Sequence, residues 1–482
     1  MRRRTSGIVI SVLMLLTAAC MMGPDYKRPN LGDLESWRLS SDTSESIANL
    51  PWWEVLKDRE LQKLIRTALK ENLDLLAAMA SIEEFQAQLT IAKFDLAPSA
   101  FYSGNAFVFH SDTNGLGIPS PGGGTLAVIP SGQGGGKTLS NESANAGIKW
   151  ELDLWGRIRR SIEATRAQLL SQEENQRAVV LGLVSNVAEA YFDLRALDLQ
   201  LDITKRTLAT WEDSVRLSRL RFEHGDIPKL DLDRFEAERA GTAARLAELE
   251  QQAFQKENQI SILLGHRPSD IPRGLGLNDQ PLLPEVPVGL PSELLQRRPD
   301  ILQSEQQLAA ATANIGIAQA LRFPQVSLTG IGGVSAFQVS SLSQGPFMTA
   351  AAAGSLSGPL LNATALGYQV KVNEAKARQA LAQYRKTILT AFKEVEDALI
   401  AVQKTREQRR AQEQQVAALQ SAWRFAVQRY QGGRASYLDV LTAQRTLFDA
   451  ELALVNTRRS QLVSVVHLYK ALGGPSPKMT PV

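Results

Sequence analysis

Two very long stretches of this chain are almost free of helix breakers, and along the second apolar positions recur every three or four residues. Residues 158–223 hold one glycine, Gly182, and no proline; residues 368–431 hold neither. Such uninterrupted runs predict helices of 66 and 64 residues. At 1.5 Å of rise per residue each would be about 100 Å long, against about 11 residues for an ordinary globular helix. In the second stretch Leu381, Tyr384, Ile388, Phe392, Val395, Leu399 and Val402 keep the spacing, and Val416, Leu419, Trp423, Ala426 and Tyr430 resume it. Such spacing over several heptads predicts coiled-coil packing. Between the two runs, residues 404–415 are nearly all polar, so that part of the helix is solvated or faces something else.

The pattern occurs twice. Arg221-Phe222-Glu223-His224-Gly225 returns 208 residues later as Arg429-Tyr430-Gln431-Gly432-Gly433, and Leu264-Gly265 returns as Leu472-Gly473. Upstream the offset is 226, pairing Asp74 with Asp300 and Pro98 with Pro324. The first copy therefore carries an insertion, and the Gly/Pro/Ser-rich residues 115–136 are read as a long polar surface loop. Each copy runs as a helix ending at proline, a Gly/Ser/Ala-rich stretch, the long helix, a turn, and a shorter helix ending in Leu-Gly. The shorter helices, expected over 72–97, 230–264, 300–323 and 435–472, stack in pairs to the height of the long ones.

The stretches between proline and long helix have strand character. Residues 99–109, 144–154, 326–339 and 348–360 mix small residues with alternating apolar ones, as in Ile148, Trp150 and Leu152. This is the weak signature of membrane β-strands, and equally of soluble hairpins capping a helical bundle. Four strands cannot close a barrel, and open edges are not tolerated in lipid. A spanning role therefore demands an oligomer. Two chains would supply eight strands and three would supply twelve, and only the larger ring leaves a substantial water-filled lumen.

The N-terminus changes the picture of location. Arg2, Arg3 and Arg4 precede an apolar run over 7–19 and then Cys20, the single cysteine. A basic start, a short apolar core and small residues before a cut site describe a secretory signal over 1–19. Leu16-Thr17-Ala18-Ala19-Cys20 is similar to a bacterial lipoprotein signal, with leucine one place early; the alternative is an ordinary signal with a chance cysteine. Met21 follows the cysteine instead of the aspartate of inner-membrane retention, which points to the outer membrane. The formal charge of +3 resides in the leader, so the remainder is neutral and nucleic-acid binding has no compositional support.

Further residues carry a family resemblance. Gly23-Pro24-Asp25-Tyr26-Lys27-Arg28-Pro29, Trp52-Trp53, the segment Leu294 to Ile301 with Arg297-Arg298-Pro299-Asp300, Glu305, Ile315-Gly316 and Phe323-Pro324 resemble the outer-membrane efflux protein family, in its lipoprotein-channel branch. The resemblance covers essentially all of the chain after the leader. It implies a mainly α fold with membrane β: a homotrimer with a twelve-stranded barrel, four strands per chain, above a twelve-helix periplasmic barrel. It implies a periplasmic adaptor and an inner-membrane pump as partners. It also implies that Tyr430, Gly433 and Asp439 lie at a gated periplasmic tip, the aspartate in a charged ring and the tyrosine in a latch. Where some relatives carry a further latch cation and a second aspartate, this chain has Ala435 and Thr442; Arg434 is the adjacent cation, and Asp231 is the first-repeat counterpart of Asp439. The expected organisation is a signal over 1–19, a lipid-anchored equatorial segment over 20–71, a first repeat over 72–265, a linker over 266–299, a second repeat over 300–473 and a tail over 474–482. The strands fall at about 99–155 and 325–362.

Catalysis finds no support. His110, His224, His266 and His467 lack metal-ligand spacing, and the Gly-Gly-Gly-Lys-Thr at 134–138 lacks the first glycine and the strand–helix frame of a phosphate loop. No cofactor or metal is expected. The expected function is a passive outer-membrane duct for small molecules expelled by the pump. The alternatives are a duct for protein secretion and a non-pore periplasmic coiled-coil adaptor.

Overall fold

The computed structural model describes residues 21–30, 57–111, 117–119, 125–128, 137–281, 291–336 and 347–474. The signal, Cys20, Trp52-Trp53, most of the Gly-rich insertion and the tail beyond 474 lie outside the described residues. Eight helices occur among them: α1 (Arg59–Glu71), α2 (Leu73–Phe94), α3 (Arg157–Glu223), α4 (Lys229–Leu263), α5 (Pro291–Arg297), α6 (Pro299–Ala320), α7 (Ala363–Gln431) and α8 (Tyr437–Ala471). The strands are β1 (Ser99–Ser111), β2 (Gly117–Pro119), β3 (Thr125–Val128), β4 (Lys137–Leu152), β5 (Gln325–Ala336) and β6 (Phe347–Ser357).

The two long helices form without interruption, over 67 and 69 residues. The second begins five residues before the expected 368, because Gly367 has open space around it and an isolated glycine does not break a helix. All four helices that close the repeats end alike. Gly225, Gly265, Gly433 and Gly473 have φ of 81°, 78°, 67° and 83°. In each case the next residue's amide returns to a carbonyl one turn back: Asp226 to Arg221, His266 to Ser261, Arg434 to Arg429 and Gly474 to Tyr469. This is the Schellman termination, and only glycine takes its left-handed position without strain.

Two compact units emerge. One comprises residues 1–27, 85–168 and 308–379; the other comprises 28–84, 169–307 and 380–482. The first contains an antiparallel sheet of order β1-β4-β5-β6. The strands observed match those expected to within a few residues, except β4, which starts at Lys137 instead of 144. The insertion read as a polar loop contains the two-stranded β2–β3 ribbon, paired Gly117 to Val128.

The second unit is helical. Its main core gathers Leu61, Leu64 and Ile65 of α1, Val184, Val187, Tyr191 and Phe192 of α3, Ile260 of α4, and Val466 and Tyr469 of α8. The coiled-coil positions of α7 are filled as expected: Tyr384 and Val395 are fully buried, and Val416 packs on Leu447 and Ala450 of α8. In the polar stretch of α7, Glu413 accepts from Arg409 at 2.7 Å and from Arg458 of α8 at 3.0 Å. That stretch faces a polar part of its neighbour.

Two helices were missed. The sequence pattern places no helix in 20–71 or 266–299, yet α1 and α5 lie there. The first helix of each repeat is thus a broken pair, interrupted at Asn72 and at Arg298. Asn72 Nδ2 donates to the Leu263 carbonyl at 2.9 Å, and Arg298 Nη1 donates to the Ala471 carbonyl at 2.9 Å. Donors and acceptors are repeat mates at offsets of 226 and 208. Each break therefore caps the end of the shorter helix, satisfying a carbonyl that has no intrahelical partner.

Candidate functional site: a two-faced sheet and the paired helical turns

The register assigns every strand residue to a face, since cross-strand partners share one. Tyr102 pairs with Ala146, Ala146 with Gly332 and Gly332 with Ala350; Trp150 pairs with Leu328, and Leu328 with Gly354. Following these pairs, one face carries Tyr102, Ile148, Trp150, Leu328, Met348 and Leu356, all exposed large apolar or aromatic side chains, among small Gly and Ala residues. The other carries Ser103, Asn105, Ser143, Asn145, Lys149, Ser327, Thr329, Thr349 and Ser355, and by register Phe101, Phe107, Phe109, Leu139, Ile331 and Phe347 interrupt its polar character. An exposed apolar face backed by a polar one is the inverse of a soluble sheet and the pattern of a membrane barrel wall. Close to one end of the sheet, Trp150 Nε1 donates to the Leu96 carbonyl, and Trp155 Nε1 donates to the Pro324 carbonyl while its ring stacks on Phe323 at 4.8 Å. Such aromatic belts mark a membrane–water boundary. No helix among the described residues is long and apolar enough to cross a membrane.

In the helical unit, the α3–α4 and α7–α8 turns share one small core. Trp211, Val215 and Phe235 of the first hairpin pack with Tyr437, Val440 and Leu441 of the second. Phe235 and Tyr437 lie 3.7 Å apart between ring centroids, and Tyr430 meets Tyr437 edge-on at 5.8 Å. Above this core Arg221 Nη1 donates to the Tyr430 hydroxyl at 2.5 Å, with the guanidinium 5.1 Å from the ring centroid. Tyr437 is buried and its hydroxyl has no hydrogen-bond partner among the described residues. Burial, then the nearby Glu238, Tyr430 and Asp231, pushes its phenol above the ordinary tyrosine range.

The expected gate residues are partly brought together. Tyr430 bridges the two hairpins. Asp231 pairs within its own helix with Arg234 at 3.4 Å. Asp439 accepts from the Ser436 amide at 3.1 Å and completes the capping box that starts α8. Arg434 enters through its main chain, its carbonyl accepting from Arg429 at 3.2 Å. Sequence reasoning missed Arg221 as the partner of Tyr430. The signal was present, since Arg221 is the repeat mate of Arg429, immediately before Tyr430.

The profile of the family described as "Outer membrane efflux protein" matches residues 64–266 and 290–474. The chain belongs to the outer membrane efflux protein family. It is 34% identical over 480 residues to the toluene efflux pump outer membrane protein TtgC of Pseudomonas putida, covering 97% of this chain and 95% of that one. It is 31% identical over 465 residues to the cation efflux system protein CusC of Escherichia coli, covering 95% and 97%. Among solved structures, the outer-membrane channel OprN superposes with a TM-score of 0.82 at 27% identity, covering 94% of this chain and 99% of that one. The open-state MtrE channel of Neisseria gonorrhoeae superposes with a TM-score of 0.79 at 29% identity, covering 95% and 98%.

The channel is thus the outer-membrane component of a tripartite efflux system, reaching from the outer membrane into the periplasm. It is a homotrimer that works with an adaptor and an inner-membrane pump, and each chain supplies four strands to the barrel. Membership displaces the readings as a secretion duct and as a non-pore adaptor. The family consists of channels, which are not enzymes.

Proposed function

We propose that the channel is a passive duct for small molecules, closed at the paired helical turns and opened by its partners, with no chemistry of its own. The observation that carries this is the two-faced sheet, with a polar face suited to a water-filled lumen and an apolar face suited to lipid. In this reading Tyr430 and Arg221 form the latch, and Asp439, Asp231 and Arg434 surround the aperture, where acidic side chains attract cations. Cargo choice lies with the pump: relatives of similar identity are named for toluene and for cations, so the common frame is not cargo-specific.

Cys20 carries the lipid anchor, and the chain divides as leader 1–19, equatorial segment 20–71, repeats 72–265 and 300–473 joined by 266–299, and tail 474–482. The test is a planar-bilayer recording of the purified trimer together with complementation of efflux in cells lacking their own outer-membrane channel. Conductance and restored efflux are expected. A trimer silent even after Tyr430→Phe and Asp439→Ala would overturn the duct. Unchanged membrane partition of Cys20→Ser, with acyl mass absent, is expected, because the barrel is itself an anchor.

A further inference from the structure

Arg160, in the first turn of α3, is 1% exposed and has its hydrogen-bonding fork filled by a segment remote in sequence. Its Nε donates to the Met22 carbonyl at 3.0 Å, and its Nη2 donates to the Gly23 carbonyl at 3.1 Å and to Asp25 Oδ1 at 2.8 Å. Its Nη1 donates to Glu163 at 2.6 Å, which holds the guanidinium in place from its own helix. The Met22 amide in turn donates to the Trp155 carbonyl at 3.1 Å. A planar fork of this kind is pre-organised to clamp a backbone, which an ammonium is not.

Three glycines on three segments make room for the clamp. Gly23, at φ +91°, lies so close to α6 that a Cβ there would sit 2.4 Å from Gly316 Cα. A Cβ on Gly316 would meet the Met22 carbonyl oxygen at 2.6 Å and the Arg160 side chain at 2.9 Å. A Cβ on Gly156, at φ +76°, would sit 2.8 Å from Met21 Cγ. Contacts below 3.0 Å to backbone cannot be relieved without displacing it, so all three positions admit only glycine while the strap is seated.

The location gives the cradle a purpose. Gly156 and Trp155 follow directly on β4, which ends at Leu152, and they adjoin the Trp150, Trp155 and Phe323 belt at the boundary of the apolar sheet face. Met21 packs on Gly156, and Cys20 is the residue bonded to it in sequence. We propose that Arg160, Gly23, Gly156 and Gly316 form a lipid-positioning site: they hold the strap 21–25 so that acyl chains on Cys20 enter the membrane against the end of β4 and the Phe323 segment. Without the cradle an acylated terminus would be a tether free to insert anywhere within the strap's reach. With it, the lipid becomes part of the barrel's annulus. The inference rests on the reading that Cys20 is acylated.

The test uses full-length channel made in cells fed a diazirine-bearing fatty acid, illuminated in the native membrane, with cross-links mapped by mass spectrometry. In the wild type, cross-links are expected to concentrate on residues 150–158 and 321–328. In Arg160→Ala the label is retained, but cross-linking to those segments falls at least about tenfold, the equivalent of one charge-assisted hydrogen bond. Arg160→Lys, with point charge but no fork, gives an intermediate fall. Gly23→Leu lies on the strap itself, so it expels the strap while leaving the α3–α6 frame intact, and the same loss is expected with heat-resistant trimer unchanged. Label present with cross-links equally dispersed in wild type and variants would overturn the cradle. No label on any form would overturn the Cys20 reading and with it the lipid role.

Discussion

Replacing Tyr430 by Phe removes one hydrogen bond and little else, which makes it the sharpest probe of the latch. The bond comes from a charged donor, Arg221 Nη1, at 2.5 Å, and both residues are partly buried. Hydrogen bonds to charged groups contribute about 1.5–3 kcal/mol when buried, and partial exposure reduces this to about 1 kcal/mol. Per chain that is about a fivefold change in the balance between open and closed. If the three chains open together the effects multiply, to about 3 kcal/mol and on the order of a hundredfold in open probability. Tyr430→Ala also removes the cation–π contact, worth about 0.5–1 kcal/mol, and the edge-on contact with Tyr437, so it opens further. Arg221→Met removes the same bond and the cation–π contact with it, so it should open somewhat further than Tyr430→Phe, and the double variant should add almost nothing to Arg221→Met. The assay is single-channel recording at fixed voltage and salt, comparing open probability. Additive effects of the two single variants, or no change in Tyr430→Phe, would refute the bridge as a latch.

Further outcomes are expected from other parts of the molecule. Ala352 pairs with Gly330 on the apolar face and Ala353 with Thr329 on the polar face; Ala352→Arg should cost about 2–4 kcal/mol near the membrane midplane and abolish assembly, while Ala353→Arg assembles and alters ion selectivity, and equal assembly of both would contradict the face assignment. Asp58 accepts from the Leu61 and Leu275 amides, the Tyr191 hydroxyl and Gln280 Nε2, at 3.2, 3.1, 2.9 and 2.7 Å. Asp58→Ala strands these buried donors and should cost about 3–5 kcal/mol, read as a lower melting temperature of the trimer, with Tyr191→Phe costing less. The Tyr437 phenol is raised above its unfolded value of about 10, so its contribution is complete below that pH and is lost as pH rises through the folded value. Thermal stability of the wild type should therefore fall above about pH 10 more steeply than that of Tyr437→Phe, and identical alkaline slopes would show that the buried phenol is not responsible.

Much of the architecture is legible in the order of residues. The two offsets identified the repeat, and Gly225, Gly265, Gly433 and Gly473 ended its helices where the pattern broke. The alternation of Ile148, Trp150 and Leu152 located a strand but left its environment open, since a soluble hairpin alternates too. Helix α1 was legible in retrospect: Leu61, Leu64, Ile65 and Ala68 follow helical spacing behind the Asp58 cap, and all four are buried. Its 13 residues give only a short signal, and α5, at 7 residues, gives almost none.

Sequence alone determined what depends on neighbours along the chain: which residues are helical, where glycine stops them, and that the plan occurs twice. Those outcomes follow from periodicity and from the φ angles that single residues allow, so distance in sequence does not enter. Tertiary structure decided everything that depends on which faces meet. Only it paired Arg221 with Tyr430, seated the strap on Arg160, and set Asn72 and Arg298 on the carbonyls of Leu263 and Ala471. It also joined four alternating strands into one sheet with an apolar and a polar face, and register between remote segments is a property of packing that no local pattern encodes.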